Sequence, residues 1–196
     1  MIYSLHKIGK SIPDNRDWAT VEMFEDLLKK SKQIMYLADY LANDREGDVI
    51  TFDDIHSSVF YELYPVLKYW NIPFELFVVF GLIGHSSITF DRSQDGSVLC
   101  NYKQLNELRA IGGRIQHHTQ THKNLTGLSK ETIEMELMLP ENIELGADEC
   151  QYFSYPYGHL DDKVVDIVRG YFKGAVSMTW GDDKDPYTLH RRYGLI

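Results

Sequence analysis

Apolar runs of strand length alternate along the chain with segments whose apolar positions recur every three or four residues. Residues 2–6 (IYSLH) read as a first strand. Val21, Phe24, Leu27 and Leu28 recur at the spacing of one helix face. Residues 48–52 (DVITF) form a compact β-rich run, and residues 59–67 read as a helix that Pro65 is expected to bend. Residues 74–80 (FELFVVF) predict a buried strand. Residues 102–111 read as helical and end on Gly112 and Gly113. A short strand is expected over 114–116, and Ser129 opens a helix with Glu131 and Thr132 in its first turn. Ile133, Leu137 and Ile143 belong to the apolar pattern of that helix. Residues 151–155 (QYFSY) predict a strand, Asp161 caps a helix through Val168, and residues 174–178 predict another strand.

This repeated strand-then-helix order predicts an α/β fold: a parallel sheet with helices outside, either a barrel or a doubly wound sheet. In both, chemistry gathers at the carboxyl ends of the strands. Composition narrows the picture. A chain of 196 residues, 43% hydrophobic and 25% charged, suits one globular domain and excludes disorder, collagen and coiled coil. Twenty Lys and Arg against 29 Asp and Glu give a net charge of −9, with no basic cluster to relieve it. Nucleic acid and anionic membrane surfaces are therefore not expected as partners, since binding to phosphate is driven by basic residues. Neutral substrates and carboxylate-held metals remain open. Two cysteines, Cys100 and Cys150, without a CxxC, make no disulfide framework. No apolar stretch reaches the ~18 residues of a membrane span. The opening MIYSLHKIGK has no long apolar core of a secretory signal, so a cytoplasmic protein is expected.

Three polar clusters follow apolar strands. In TFDD (51–54), two adjacent carboxylates stand at a strand end, where a turning backbone lets both reach one cavity. Two such charges repel unless a cation or proton lies between them. Alone, the pair reads as a solvated turn with a helix cap. In HHTQTH (117–122), His118 and His122 are spaced i, i+4, so that on a helical turn they project together and can hold one metal. His117 points elsewhere. In SYPYG (154–158), a strand ends in a proline-fixed turn flanked by two tyrosines. That is either aromatic packing or a rigid wall presenting a backbone N–H to a substrate oxygen. One carboxylate and two imidazoles suit zinc, whose N and O ligands lie at about 2.0–2.2 Å, and leave a position for water. A second carboxylate beside the ion completes a site for metal-assisted hydrolysis.

TFDD, then HTQTH, then a strand ending YPYG resembles the polysaccharide deacetylases, the NodB-homology domains of carbohydrate esterase family 4. The likeness covers nearly the whole chain, as one domain over 1–196. It implies a distorted (β/α) barrel of about seven strands and removal of acetyl groups, N-acetyl foremost, from a carbohydrate with a divalent metal. Zinc is expected, with cobalt or nickel as alternatives. The substrate would be an N-acetylated sugar, as a polymer or a lipid- or nucleotide-linked precursor. By this resemblance Asp53 is the base, Asp54, His118 and His122 are the metal ligands, and the Tyr157 N–H helps hold the oxyanion. Tyr155, Pro156, His56 and Trp180 would face the substrate. The acid that protonates the leaving amine would be His6, in the manner of the circularly permuted branch that includes the poly-N-acetylglucosamine deacetylases. It is preferred to His190 near the C-terminus.

Three features depart from the family pattern. Ile55 stands where the family has glycine, and is expected to narrow the groove or alter the turn. The arginine that precedes the proline of the third motif is absent, and Arg191 is the candidate to orient the base in its place. The Asp-x-x-Asp-Trp motif that supports the acid is missing too. These departures motivate a rival reading, a carbohydrate-binding pseudoenzyme. A third reading, an iron(II) oxygenase using two His and a carboxylate, fits the motif order and the fold class less well.

Overall fold

Strands, helices and their order follow the sequence pattern closely enough to show where the site must lie. The computed structural model describes residues 1–10, 17–87, 97–139, 141, 143–178 and 184–193. In chain order these give β1 (Ile2–Leu5), the two-residue strands β2 (Lys7–Ile8) and β3 (Trp18–Ala19), α1 (Val21–Lys30), α2 (Leu37–Ala42) and β4 (Val49–Asp53). A π-helical turn (Val59–Leu63) then runs into α3 (Tyr64–Trp70), followed by β5 (Phe74–Val78) and a 3-10 turn (Phe80–Leu82). The second half holds α4 (Tyr102–Arg109), β6 (Gly113–His117), α5 (Lys130–Leu137), β7 (Tyr152–Ser154), a 3-10 turn (Pro156–Gly158), α6 (Asp162–Arg169), β8 (Gly174–Ser177), β9 (Leu189–His190) and β10 (Arg192–Tyr193). Among the described residues no helix is long and apolar enough to cross a membrane.

Every neighbouring pair in the eight-stranded sheet is parallel, in the order β10-β1-β4-β5-β6-β7-β8-β9. The two edge strands are halves of one C-terminal segment with Arg191 alone between them. One half pairs with β8 and the other with β1. The edges therefore meet, and the wall is a nearly closed, distorted barrel of seven staves, the fold and strand number expected. Because all staves run the same way, their carboxyl ends share one mouth.

Side-chain alternation divides the core. Ile50 and Phe52 point outward and pack with Phe24, Leu28, Leu63 and Leu67 of the helices, while Phe153 and Ala175 pack against α5 and α6. Each fully buried side chain of this kind contributes about 1.5–3 kcal/mol relative to exposure. Inward-facing Ile2, Val49, Phe77, Val176 and Leu189 fill the interior. Leu37 at the start of α2 plugs the amino-terminal mouth. There Glu75 accepts the Leu37 N–H and the Gln116 Nε2–H, both at 2.8 Å. Gln116 Oε1 in turn accepts the N–H groups of Gln151 and Tyr152.

The helix expected over 59–67 changes character just before Pro65: the π-helical turn Val59–Leu63 gives way to α3, in whose first turn the missing N–H of Pro65 is tolerated. One local expectation is corrected. Ile143 lies outside α5, which ends at Leu137 with Met138 already extended, since Pro140 disfavours helix in the residue before it.

Candidate functional site

Left-handed backbone turns at three strand ends bring the polar clusters together. Strand alternation points Asp53 inward and would send Asp54 to the other face. Instead Asp54 adopts φ 59° and the Ile55 N–H donates to the Asp53 carbonyl at 2.6 Å, a γ-turn that swings the second carboxylate back into the same cavity. After β6, His118 points inward, and Thr119 (φ 67°) and His122 (φ 59°) turn the chain so that the two imidazoles lie 4.8 Å apart. The pair is as expected but its backbone is not a helical turn. His117 faces outward, packed on Phe80, Phe153 and Phe172, with its Nε2 3.2 Å from the Met138 carbonyl. After β7, Tyr157 takes φ 59° and its ring lies 4.7 Å from that of His122. Gly158 (φ +70°) must be glycine, because a Cβ there would stand 2.7 Å from the Cβ of Met178.

Asp53 is fully answered. Arg191 Nη1 and Nη2 donate to its two oxygens, each at 2.6 Å, and the Ser154 hydroxyl donates to Oδ2 at 3.0 Å. Arg191 is itself braced by Thr51 Oγ1 at 3.0 Å and by Ser154 Oγ at 2.9 Å. Burial favours the uncharged carboxyl, but the guanidinium, aided by His118, outweighs it and holds Asp53 well below the usual carboxylate range.

Asp54 is not answered in this way. Its Oδ1 is buried without a hydrogen-bond partner among the described residues. It lies 3.3 Å from His122 Nε2 and 3.7 Å from His118 Nε2. His118 Nδ1 is 2.7 Å from the Ser154 carbonyl, which can only accept. The proton is therefore on Nδ1, and burial drives the imidazole pKa down to about 4, against the pull of Asp53. Near neutral pH the Nε2 lone pair thus faces carboxylate oxygens of both Asp53 (3.8 Å) and Asp54. Donor atoms of Asp54, His118 and His122 all lie within 4.8 Å of one another. Lone pairs converging in a buried space call for a cation, and this donor set fits a divalent metal.

These groups open on a cavity of about 90 Å³. His6 lines it with Nε2 3.9 Å from Asp53 Oδ2. His190 does not line it; its neighbours Leu189 and Arg191 are the inward-facing residues of that segment. His56 lines the cavity but is buried, with Nδ1 2.7 Å from Ser97 Oγ and Nε2 3.8 Å from Asp54 Oδ2, so it faces the carboxylate more than any substrate. Tyr155 lines the cavity, but its ring packs against Phe153 in the outer core and its hydroxyl donates away to the Tyr187 carbonyl. Pro156 is buried and not part of the lining. Trp180 lies outside the described residues. Ile55 does not narrow the groove: it is buried in the outer core with Val59 and Leu63 while keeping φ 55°. Sequence reasoning missed Thr51 and Ser154, small polar residues at inward positions of apolar strands. It also missed Lys7, Asp17, Met178 and Tyr193, which complete the cavity wall.

A model of the family described as polysaccharide deacetylase matches residues 43–171, and the chain belongs to that family. It is 23% identical over 194 residues to the YxkH protein of Bacillus subtilis (strain 168), which bears a polysaccharide deacetylase name. That match covers 96% of this chain and 65% of YxkH, so the chain spans just under two thirds of that relative. Among solved structures, the deacetylase PplD of Streptococcus pyogenes, in complex with acetate, superposes with a TM-score of 0.76 at 20% identity, covering 97% of this chain and 89% of PplD. IcaB of Ammonifex degensii superposes at 0.68 with 22% identity, covering 97% and 90%. These likenesses show a common fold.

Proposed function

We propose that the protein is a metal-dependent hydrolase that removes the acetyl group of an N-acetylated carbohydrate. The observation that carries this reading is the buried, unpartnered Asp54 Oδ1 facing two imidazole nitrogens, with a second, ionised carboxylate alongside. Asp54, His118 and His122 would hold the ion, with zinc favoured by the donor types and cobalt or nickel also suited. A bound divalent cation polarises an acetamide carbonyl and acidifies water, which is the help a carboxylate as weakly basic as Asp53 requires.

The chain's own residues supply the rest. Asp53 takes the proton of the attacking water, and Arg191 with Ser154 fixes the orientation of its oxygens. The Tyr157 N–H, in the turn after β7, stabilises the developing oxyanion. His6, with its Nε2 3.9 Å from Asp53 Oδ2, donates a proton to the departing amine, without which an amide nitrogen leaves poorly. Arg191 also answers the departure that motivates a pseudoenzyme: the guanidinium absent from the third motif is delivered from the C-terminal strand. Acetate, found with PplD, is the acid such a reaction releases. The substrate is an N-acetylated sugar, in a polymer or in a lipid- or nucleotide-linked precursor.

The test is acetate release from a panel of N-acetylated sugars by metal-stripped and metal-restored protein. Release that returns with zinc, cobalt or nickel supports the proposal. Sugar binding without release under every metal condition favours the pseudoenzyme.

A further inference from the structure

The loop that carries His122 is held from outside the cavity by a carboxylate that takes no part in the chemistry above. Glu136 lies on α5, is only 4% exposed, and does not line the cavity. Its Oε2 accepts the N–H groups of Gln120 (3.1 Å) and Thr121 (2.8 Å). Its Oε1 accepts the Thr121 hydroxyl at 2.6 Å and stands 3.4 Å from Lys123 Nζ. Three of these four donors belong to the two residues midway between His118 and His122, and the fourth follows His122 directly.

The opposite side of the loop is gripped by backbone. The Phe80 N–H donates to the Thr119 carbonyl at 3.2 Å and the Gly81 N–H to the Gln120 carbonyl at 2.9 Å. A Cβ at Gly81 would come within 2.5 Å of that carbonyl oxygen, so the approach is as close as a backbone allows. Between the two grips, Thr119 and His122 are held at positive φ. Such conformations cost about 1–3 kcal/mol each for non-glycine residues and persist only where the surroundings over-determine them. Thr119, being β-branched, is especially disfavoured there. Without the carboxylate, the Thr121 N–H and hydroxyl lose their acceptor, the Gln120 N–H is left with only the Glu136 backbone carbonyl at 3.1 Å, and the strained turn has less to hold it.

We infer that Glu136 is a positioning residue for the metal centre: it clamps the 119–122 turn so that His122 Nε2 stays beside His118 and Asp54. The inference rests on reading that centre as a divalent-metal site. Since Glu136 touches neither the proposed ligands nor the cavity, its loss acts on metal affinity rather than on chemistry once the metal is bound. The helix supplies a charged acceptor because one carboxylate can meet several donors at once, and such bonds are about twice as strong as neutral ones.

The experiment titrates stripped wild type, Glu136→Gln and Thr121→Ala with zinc against a chromophoric chelator, alongside amide hydrogen exchange and thermal melting. Wild type binds one zinc. Glu136→Gln, of equal size, weakens zinc binding about 10–100-fold, the usual effect of removing a group that orients ligands. The Thr121 amide exchanges faster, the Gln120 amide less so because it keeps the Glu136 backbone carbonyl, and acetate release at saturating zinc stays within about twofold of wild type. Thr121→Ala keeps both backbone bonds and loses roughly 2–10-fold in affinity, which carries the test if Glu136→Gln does not fold. Unchanged affinity with a lowered melting temperature overturns the inference and makes Glu136 a packing residue. Lost turnover at saturating zinc with unchanged affinity overturns it as well. A wild type that binds no zinc overturns the metal reading, and the inference with it.

Discussion

The two mouths of the barrel bury charge in opposite ways. At the amino-terminal mouth, both Glu75 oxygens meet donors, and its partner Gln116 is satisfied in turn by two backbone amides. At the carboxyl mouth, Asp54 keeps an oxygen without a hydrogen bond among the described residues, and a His118 that is neutral near pH 7 aims a lone pair at two carboxylates. Among the described residues, five of the nine non-glycine residues at positive φ also cluster there: Asp54, Ile55, Thr119, His122 and Tyr157. A closed polar network makes one end rigid and self-sufficient. An open network on strained backbone marks the end built to receive something else.

That contrast can be broken most severely at Arg191, which joins the site to the closure of the barrel. Arg191→Leu leaves the Asp53 carboxylate buried without its cation, so denaturant unfolding should show a loss of about 3–5 kcal/mol. Deacetylation should fall at least ~100-fold, because the base loses its orientation. His6→Gln sharpens the comparison within the carboxyl mouth: kcat should drop by about 10²–10⁴ while zinc affinity is unchanged, as expected of an acid that is not a ligand. A parallel loss of zinc binding would instead make His6 part of the metal site.

The amino-terminal mouth gives the smallest effect, one that depends on pH. Burial, opposed by the Leu37 N–H and Gln116, raises the Glu75 carboxyl from its ordinary 4.5 to about 7. The folded protein then holds this proton more tightly than the unfolded chain. The resulting stabilisation is complete below the unfolded value, shrinks as pH rises above it, and is gone above about 7. Glu75→Gln does not titrate, so the stability of wild type relative to this variant should fall by at most about 3 kcal/mol between pH 4 and pH 8. Parallel stability curves for the two proteins would show that Glu75 titrates normally.

Much of the fold was legible because its wall is made of apolar runs followed by helical periodicity. The elements that escaped are α2 and the two-residue strands, too short for any period to register. TFDD and HTQTH could be read because each packs its chemistry into one local run. The spacing of His118 and His122 selected the right pair for a different reason from the real one: two left-handed residues, not a helical turn, bring them together. Ile55 shows the limit of comparing motifs by position, since the side chain replacing a glycine turned into the outer core and left the cavity untouched. Arg191 lies 138 residues from Asp53, and only closure of the barrel brings them into contact. Glu136 carried no signal, because in a helix pattern it reads as one more surface charge.

The proposed chemistry requires a cation shared by Asp54, His118 and His122 while Asp53 stays with Arg191. Anomalous diffraction from zinc-soaked crystals tests this directly. The predicted result is one strong peak at about 2.0–2.2 Å from one oxygen of Asp54 and one nitrogen of each histidine, with both Asp53 oxygens still on the guanidinium. A peak bonded to Asp53 in place of Asp54, or no peak between the two imidazoles, would contradict it.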